Sequence, residues 1–218
     1  MSADVFAELS PPYSTILADP PWGYEERTAP WRSNVDNTYS LMTTAEIAGL
    51  PVNAISAPDA HLYLWTTLPM MATAYKVVER WGFTPDTLLT WCKPGPGLGG
   101  GFRGNTEHLI VARRGFSFIN PTCADCGGRT RGANKCFCAR PAWRYKGEPV
   151  LDDAKRPFQA TAEGTWFKAP RSAHSAKPAL FADLVERMSP GPYVELFARA
   201  PRLGWDSWGN GYEIGAAS

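Results

Sequence analysis

The chain has 218 residues, 44% of them apolar, and its 22 Lys and Arg against 21 Asp and Glu leave a formal charge of +1. That is enough chain for one sizeable core and a small appended module, while so even a charge confines any affinity for a polyanion to local patches. No apolar run approaches the ~20 residues that span a bilayer, and Met1-Ser-Ala-Asp-Val-Phe lacks the basic start and apolar stretch of a secretory signal. A cytoplasmic location is therefore expected, and the five cysteines read as thiols or metal ligands rather than disulfides.

In chain order, Ser14–Ala18 is a short apolar run that reads as a buried strand. Asp19-Pro20-Pro21-Trp22 follows it directly. Thr43-Thr44-Ala45-Glu46 is a capping signal for a short helix ending near Gly49. His61–Thr66 reads as a second buried strand. From Met70 to Trp81 the residues Ala74, Val77, Val78 and Trp81 recur at helical spacing, and Gly82 stops the run. Strands are predicted at Leu88–Cys92 and Leu109–Ala112, a helix over Ala179–Met188 and a strand over Tyr193–Phe197. This alternation predicts an α/β fold with a mostly parallel sheet covered by helices. Ligands of such sheets sit at the carboxyl ends of the strands, where Asp19, Lys93 and Arg199 emerge.

Asp19-Pro20-Pro21-Trp22 combines a carboxylate, two residues of fixed φ and a flat apolar ring. By itself it also fits a Pro-Pro turn after a strand with a packed Trp. Its company is more specific: Trp91-Cys92-Lys93, Glu107-His108, His174-Ser175-Ala176-Lys177-Pro178, Glu195-Leu-Phe-Ala-Arg199 and Gly204-Trp-Asp-Ser-Trp-Gly-Asn210. This ordered series resembles the S-adenosylmethionine-dependent adenine-amine (N6) methyltransferases named for the seventy-kilodalton subunit of the mRNA adenosine methyltransferase. It is most similar to their short bacterial and phage members, over roughly residues 13–115 and 166–214.

The resemblance implies a Rossmann-like methyltransferase fold in circularly permuted motif order, with the tetrad early and much of the cofactor sequence late. No Gly-x-Gly-x-x-Gly follows the first strand, in keeping with that order. It also implies that Asp19, Pro20, Pro21 and Trp22 are catalytic. The amine of adenine is conjugated with its ring and is a poor nucleophile. Asp19 and the Pro20 carbonyl can accept its two protons and so favour the pyramidal nitrogen. The prolines aim those acceptors in advance, and Trp22 offers a face to a base taken out of its stack.

S-adenosylmethionine is expected against Lys177, Glu195, Phe197, Arg199, Gly209 and Asn210. A carboxylate or guanidinium at a strand end can bind ribose hydroxyls. An amide such as that of Asn210 donates and accepts at once, and the point charge of Lys177 suits a carboxylate. The same residues also read as a surface ion pair and a solvated lysine. Relatives often carry Gly where this chain has Ala198, which bears on how closely the backbone can be approached there. The target base is expected near Tyr39, Lys93, Arg103, Asn105 and Glu107. The Gly-rich stretch bearing Arg103 and Asn105 reads either as a contact to phosphates and base edges or as a solvent loop.

Cys123-Ala-Asp-Cys126-Gly-Gly and Cys136-Phe-Cys138 supply four thiolates at a spacing that suits a tetrahedral structural zinc. A dithiol pair and an iron–sulfur cluster are the alternatives. Four sulfurs close the coordination sphere and leave no position for a catalytic water. Between 123 and 146, Arg129, Arg131, Lys135, Arg140, Arg144 and Lys146 face the single acid Asp125, with Phe137, Trp143 and Tyr145 interleaved. That composition suits nucleic acid, and it also suits a staple that merely orders an insertion too small to fold alone.

The expected organisation is a methyltransferase core over 1–115 and 166–218 with a cysteine-rich zinc-binding insertion over 116–165. The expected activity is N6-adenine methylation of DNA. The alternatives are the same reaction on RNA, a catalytically inactive nucleic-acid-binding partner subunit, and modification of some other amine. A homodimer or a partner subunit is compatible with this reading.

Overall fold

The structure, a computed structural model, describes residues 3–23, 41–95, 103–115, 122–123, 143–144, 165–170, 177–178 and 180–209. Its centre is β1 (Tyr13–Ala18), which pairs in parallel with β2 (Ser56–Thr66) on one side and β8 (Tyr193–Leu196) on the other. A strand flanked by parallel neighbours and covered on both faces has no solvent side, hence the apolar run Ile16-Leu17-Ala18, and the buried Thr15 hydroxyl donates to Pro190 O at 2.6 Å. Beyond β8 lies β9 (Trp205–Trp208), also parallel. Beyond β2 come β4 (Thr106–Arg114), antiparallel, then β3 (Thr84–Cys92) and the edge strand β7 (Trp166–Lys168). The seven strands thus run β7-β3-β4-β2-β1-β8-β9, with β4 alone reversed. A separate ladder pairs β5 (Thr122–Cys123) with β6 (Trp143–Arg144).

The pleat sorts the side chains. On β2, Leu62 and Leu64 enter one core with Ile16, Ala18, Ile110 and Leu196, while Tyr63 and Trp65 enter the other with Leu17, Leu109 and Val111. Helix α3 (Met71–Arg80) covers the first core with Ala74, Val77 and Val78, and Gly82 ends the run at φ +83°. Helix α4 (Leu180–Met188) covers the second with Phe181, Leu184 and Val185. Each such buried aliphatic or aromatic residue contributes about 1.5–3 kcal/mol. Helix α1 (Thr44–Gly49) begins with the expected capping box, in which Thr43 Oγ1 accepts from the Glu46 amide at 3.2 Å and Glu46 accepts from the Thr43 amide at 2.7 Å.

The structure extends several predicted elements. β2 starts at Ser56, five residues before the expected His61, because the polar half of the strand pairs at Tyr13↔Ser56 and Ala60↔Arg114. β3 and β4 likewise run past Leu88 and Leu109 toward Thr84 and Thr106, since antiparallel pairing carries residues that hydrophobicity alone leaves out. Helix α2 (Val52–Ile55), β7 and β9 were not anticipated.

Candidate functional site

The single reversed strand creates the site. β1, β3 and β8 point their carboxyl ends to one edge, and β4 runs the other way, so its first residues arrive at that edge as well. Asp19 leaves β1 there, Lys93 leaves β3, Arg199 follows β8, and Glu107 enters β4 opposite Trp91. The sheet thus gathers residues that lie far apart in the chain.

Each tetrad residue is anchored. The Asp19 amide donates to Leu196 O at 3.4 Å, the Trp22 amide to Pro20 O at 2.9 Å, and the Met42 amide to Pro21 O at 3.0 Å. The Trp22 indole donates to Trp65 O at 3.0 Å, and its ring, 7% exposed, belongs to the α3-side core. As described here Trp22 is an anchor, and stacking of a base on it requires part of that ring to be uncovered. Gly23 bonds Met42 O at 2.9 Å, and a Cβ there would meet that same oxygen at 2.9 Å.

Lys177, on the short described stretch before α4, reaches both oxygens of Asp19 at 2.7 Å and lies 3.4 Å from Glu107. Its ammonium sits 5.1 Å from the centre of the Trp65 ring. Lys93 donates to the other oxygen of Glu107 and lies 4.7 Å over Trp91. Arg199 approaches Asp19 at 3.6 Å. Burial alone would raise the Glu107 pKa, but the Lys177 and Lys93 ammoniums outweigh it and hold the carboxyl below its usual range. Glu195 goes the other way. Burial and the adjacent Asp19 charge push it up, against Arg202, Arg199 and Lys177.

A second cluster lies beside β8. Glu195 pairs in register with Leu17 and Ser207. The Ser207 hydroxyl oxygen is buried and has no hydrogen-bond partner among the described residues, a condition that calls for a ligand or water. Phe197 adopts φ +63°, costly for a residue with a Cβ, and packs edge-on against Trp208 at 5.4 Å. The Ala198 amide donates to Trp208 O at 3.0 Å. At Gly209 a Cβ would stand 2.6 Å from Ala198 O, so the bare backbone demanded here belongs to Gly209, while Ala198 is accommodated in the core. A half-buried acid, an orphaned hydroxyl and a side-chain-free turn together suit the ribose side of a nucleoside cofactor.

Asn105 spends its side chain on structure, donating to Lys93 O at 3.2 Å while its own carbonyl accepts the Lys93 amide at 2.8 Å. Arg103 is exposed and stands outside the ion network described. Tyr39, Asn210, Cys126, Cys136 and Cys138 lie outside the described residues, and Cys123 is described only as a backbone position on β5. Two site residues escaped sequence reasoning, Trp65 and Ser207. Strand periodicity places Trp65 on the α4 face, but nothing local reveals that its carbonyl holds Trp22 and its ring carries Lys177.

The MT-A70 family model matches residues 13–118 and 143–211. The chain is 28% identical to the Type II methyltransferase M.MunI of a Mycoplasma species, over 94% of this chain and 81% of that one. It is 24% identical to the N6-methyladenosine RNA methyltransferase MTA1 of Cryphonectria parasitica, over 95% of this chain and 54% of the relative. With the human N(6)-adenine-specific methyltransferase METTL4 it shares 22% identity, over 91% and 37%. It therefore spans most of the bacterial relative and about half or less of the eukaryotic ones. Fold, site and relatives agree on one class of protein, the adenine-specific methyltransferases. Within it, the chain belongs to the MT-A70 family.

Proposed function

We propose that this chain transfers the methyl group of S-adenosylmethionine to the N6 amine of adenine in DNA. The observation that carries the reading is the Asp19–Lys177–Glu107 cluster at the carboxyl edge, reached directly from β1. S-adenosylmethionine, when bound, supplies an electrophilic methyl on a sulfonium. Glu195, Ser207 and the Gly209 turn suit its ribose side, with Arg199 and Phe197 beside them, Lys177 suits its carboxylate, and Asn210, outside the described residues, is assigned to the cofactor by family resemblance. This assignment treats the late strands β8 and β9, set beside the first strand, as the cofactor half of a circularly permuted methyltransferase fold.

The chain's own residues then act as follows. Lys177 gives up one Asp19 oxygen and shifts toward Glu107, already 3.4 Å away. The freed oxygen accepts one amine proton of adenine, and the second lone pair of Pro20 O accepts the other. With both amine protons held by these acceptors, the nitrogen lone pair is turned out of the ring plane, where it would meet the methyl that bound S-adenosylmethionine would supply. The surplus amine proton passes to solvent. Lys93 and Glu107 border the base, and Tyr39, Arg103 and Asn105 belong to the segments around it. Trp22, its indole bonded to Trp65 O and its ring buried in the α3-side core, keeps the turn rigid.

DNA is preferred because the chain matches a type II methyltransferase over most of both lengths. RNA is the second reading, favoured by the RNA methyltransferase among the relatives. Retention of the tetrad and its ion network weighs against an inactive partner subunit.

The family match omits 119–142, the stretch that holds Cys123, Cys126, Cys136 and Cys138. Pairing of Cys123 with Trp143 and of Thr122 with Arg144 closes the ends of that stretch. Four thiolates in so short a closed segment suit a structural zinc, and the stretch outside the family match is 119–142, narrower than the expected 116–165 insertion, with its basic residues contacting the substrate. No helix among the described residues is long and apolar enough to cross a membrane, and a cytoplasmic nucleic-acid enzyme, alone or as a homodimer, accords with this reading. The test is nucleoside mass spectrometry of DNA and RNA incubated with chain and cofactor. N6-methyldeoxyadenosine supports the reading, label confined to RNA moves it to the second, and label in neither polymer contradicts both.

A further inference from the structure

The face of the sheet opposite α4 is covered up to Leu88, which packs on the α3-side core. Beyond it the register sets two open rows across three strands. Trp166, Thr90 and His108 form one, and Lys168, Cys92 and Thr106 form the next. Residues paired across strands share a face, and the intervening Phe167 and Trp91 turn into the α4-side core. On the open face Trp166 is 59% exposed, Lys168 and Thr106 are exposed, and Thr90, Cys92 and His108 are half-buried. A tryptophan so exposed on an edge strand contributes little to either core. The Lys168 ammonium stands 5.8 Å from its ring centre, setting a cation beside a flat aromatic surface. These two rows carry no acid.

We propose that Trp166 and Lys168 form a stacking platform for nucleotides flanking the target adenine, with the substrate strand lying along the open face of β7, β3 and β4. The proposal rests on the nucleic-acid reading above and adds the path the strand takes. Aromatic rings beside cations bind single strands through base stacking and phosphate pairing. Thr90 Oγ1, 3.1 Å from His108 Nδ1, and Thr106 add hydroxyls on the same face. Along the chain, six Lys and Arg against one acid occupy 123–146, while 147–164, which joins that segment to β7, holds four acids against Lys155 and Arg156, so the cation of this surface is Lys168 itself. Position fits too. Lys168 pairs with Cys92, whose neighbour Lys93 holds Glu107. From β7 to β1 there are four strand spacings, about 19 Å, the reach of roughly five or six stacked nucleotides at 3.4 Å each.

The test compares two single-stranded substrates, one extending well past that reach and one ending within two nucleotides of the adenine. With Trp166→Ala, KM for the long substrate is expected to rise about tenfold, while kcat, KM for the short substrate and cofactor affinity stay unchanged. Trp166→Phe restores the long-substrate KM, and Lys168→Gln raises it with a shallower salt dependence than the wild type. A long-substrate KM within twofold of wild type in both Trp166→Ala and Lys168→Gln overturns the proposal. So does an equal loss on both substrates, which would report damage to the fold. A wild-type dimer that Trp166→Ala dissociates also overturns it, assigning the face to a second copy of the chain. If the wild type methylates no nucleic acid, the functional reading fails instead. Binding of the long oligonucleotide, followed by Trp166 fluorescence against Trp166→Phe, then still decides the surface.

Discussion

Lys177 holds both oxygens of Asp19 and lies near Glu107, so in the proposed reaction the Asp19 acceptor is occupied until that lysine moves. Glu195 and Glu107, both at this edge, have opposite pH signatures. Glu195 is raised above its usual 4.5 by burial and by Asp19. Its contribution to stability is full below about pH 4.5 and is lost as pH rises through the raised value. Near neutrality its ionisation therefore opposes folding. Glu195→Gln is expected to raise Tm by about 2–4 °C at neutral pH and to weaken cofactor binding roughly tenfold or more, as calorimetry and a binding titration would read. Glu107 lies below its usual value, so its contribution is present above about pH 4.5 and is lost as pH falls through the lowered pKa. The stability difference between wild type and Glu107→Gln is expected to be flat above that pH and to shrink below it, measured by denaturant unfolding across the acid range.

At the scale of elements, two contacts decide whether the site is formed. Trp22→Phe keeps the apolar packing but removes the indole donor to Trp65 O. The expected result is a loss of about 1 kcal/mol of stability and a lower kcat with little change in cofactor affinity. An unchanged kcat would show that the anchor does not aim the turn. Gly209→Ala puts a Cβ against the carbonyl and amide of Ala198. Forcing β8 and β9 apart at their carboxyl ends is expected to cost about 1–3 kcal/mol and to abolish measurable cofactor binding, while α3 and its core stay folded by circular dichroism. The strands and helices that position the site were legible where the apolar pattern was strong, as in β1, α3, α4 and β8, and where a capping box marked a start, as in α1. β7 and β9 were not. Trp166-Phe-Lys168 is only three residues long, and Trp205-Asp-Ser-Trp208 sets two polar residues between two tryptophans at the far edge, so neither carries the apolar run that marks a buried strand. Asp19 was legible as a site residue from its place after a strand. Its ion pair with Lys177, across 158 positions of chain, is a product of topology that no local pattern carries, and resemblance pointed to Lys177 only as a cofactor-side residue.

For the whole molecule, the reversed strand β4 is what makes a single cluster out of Asp19, Lys93, Glu107 and Arg199. A site gathered this way depends on the entire sheet, so most destabilising changes in either core should reduce activity. The cysteine segment is a separate matter. One zinc per chain is expected by atomic absorption, bound by thiolates. A strong chelator should lower Tm and long-substrate affinity while leaving cofactor affinity within a few-fold, because the cofactor cluster on β8 and β9 lies outside 116–165. Absence of stoichiometric metal would return the four cysteines to the dithiol reading.

The most direct measurement is the single-turnover rate of methyl transfer to adenine in wild type and in Asp19→Asn, with cofactor affinity determined in parallel. Loss of a positioned acceptor is expected to slow transfer by about 10²–10³-fold with cofactor affinity within a few-fold of wild type. Transfer that proceeds at the wild-type rate without the Asp19 carboxylate would contradict the account.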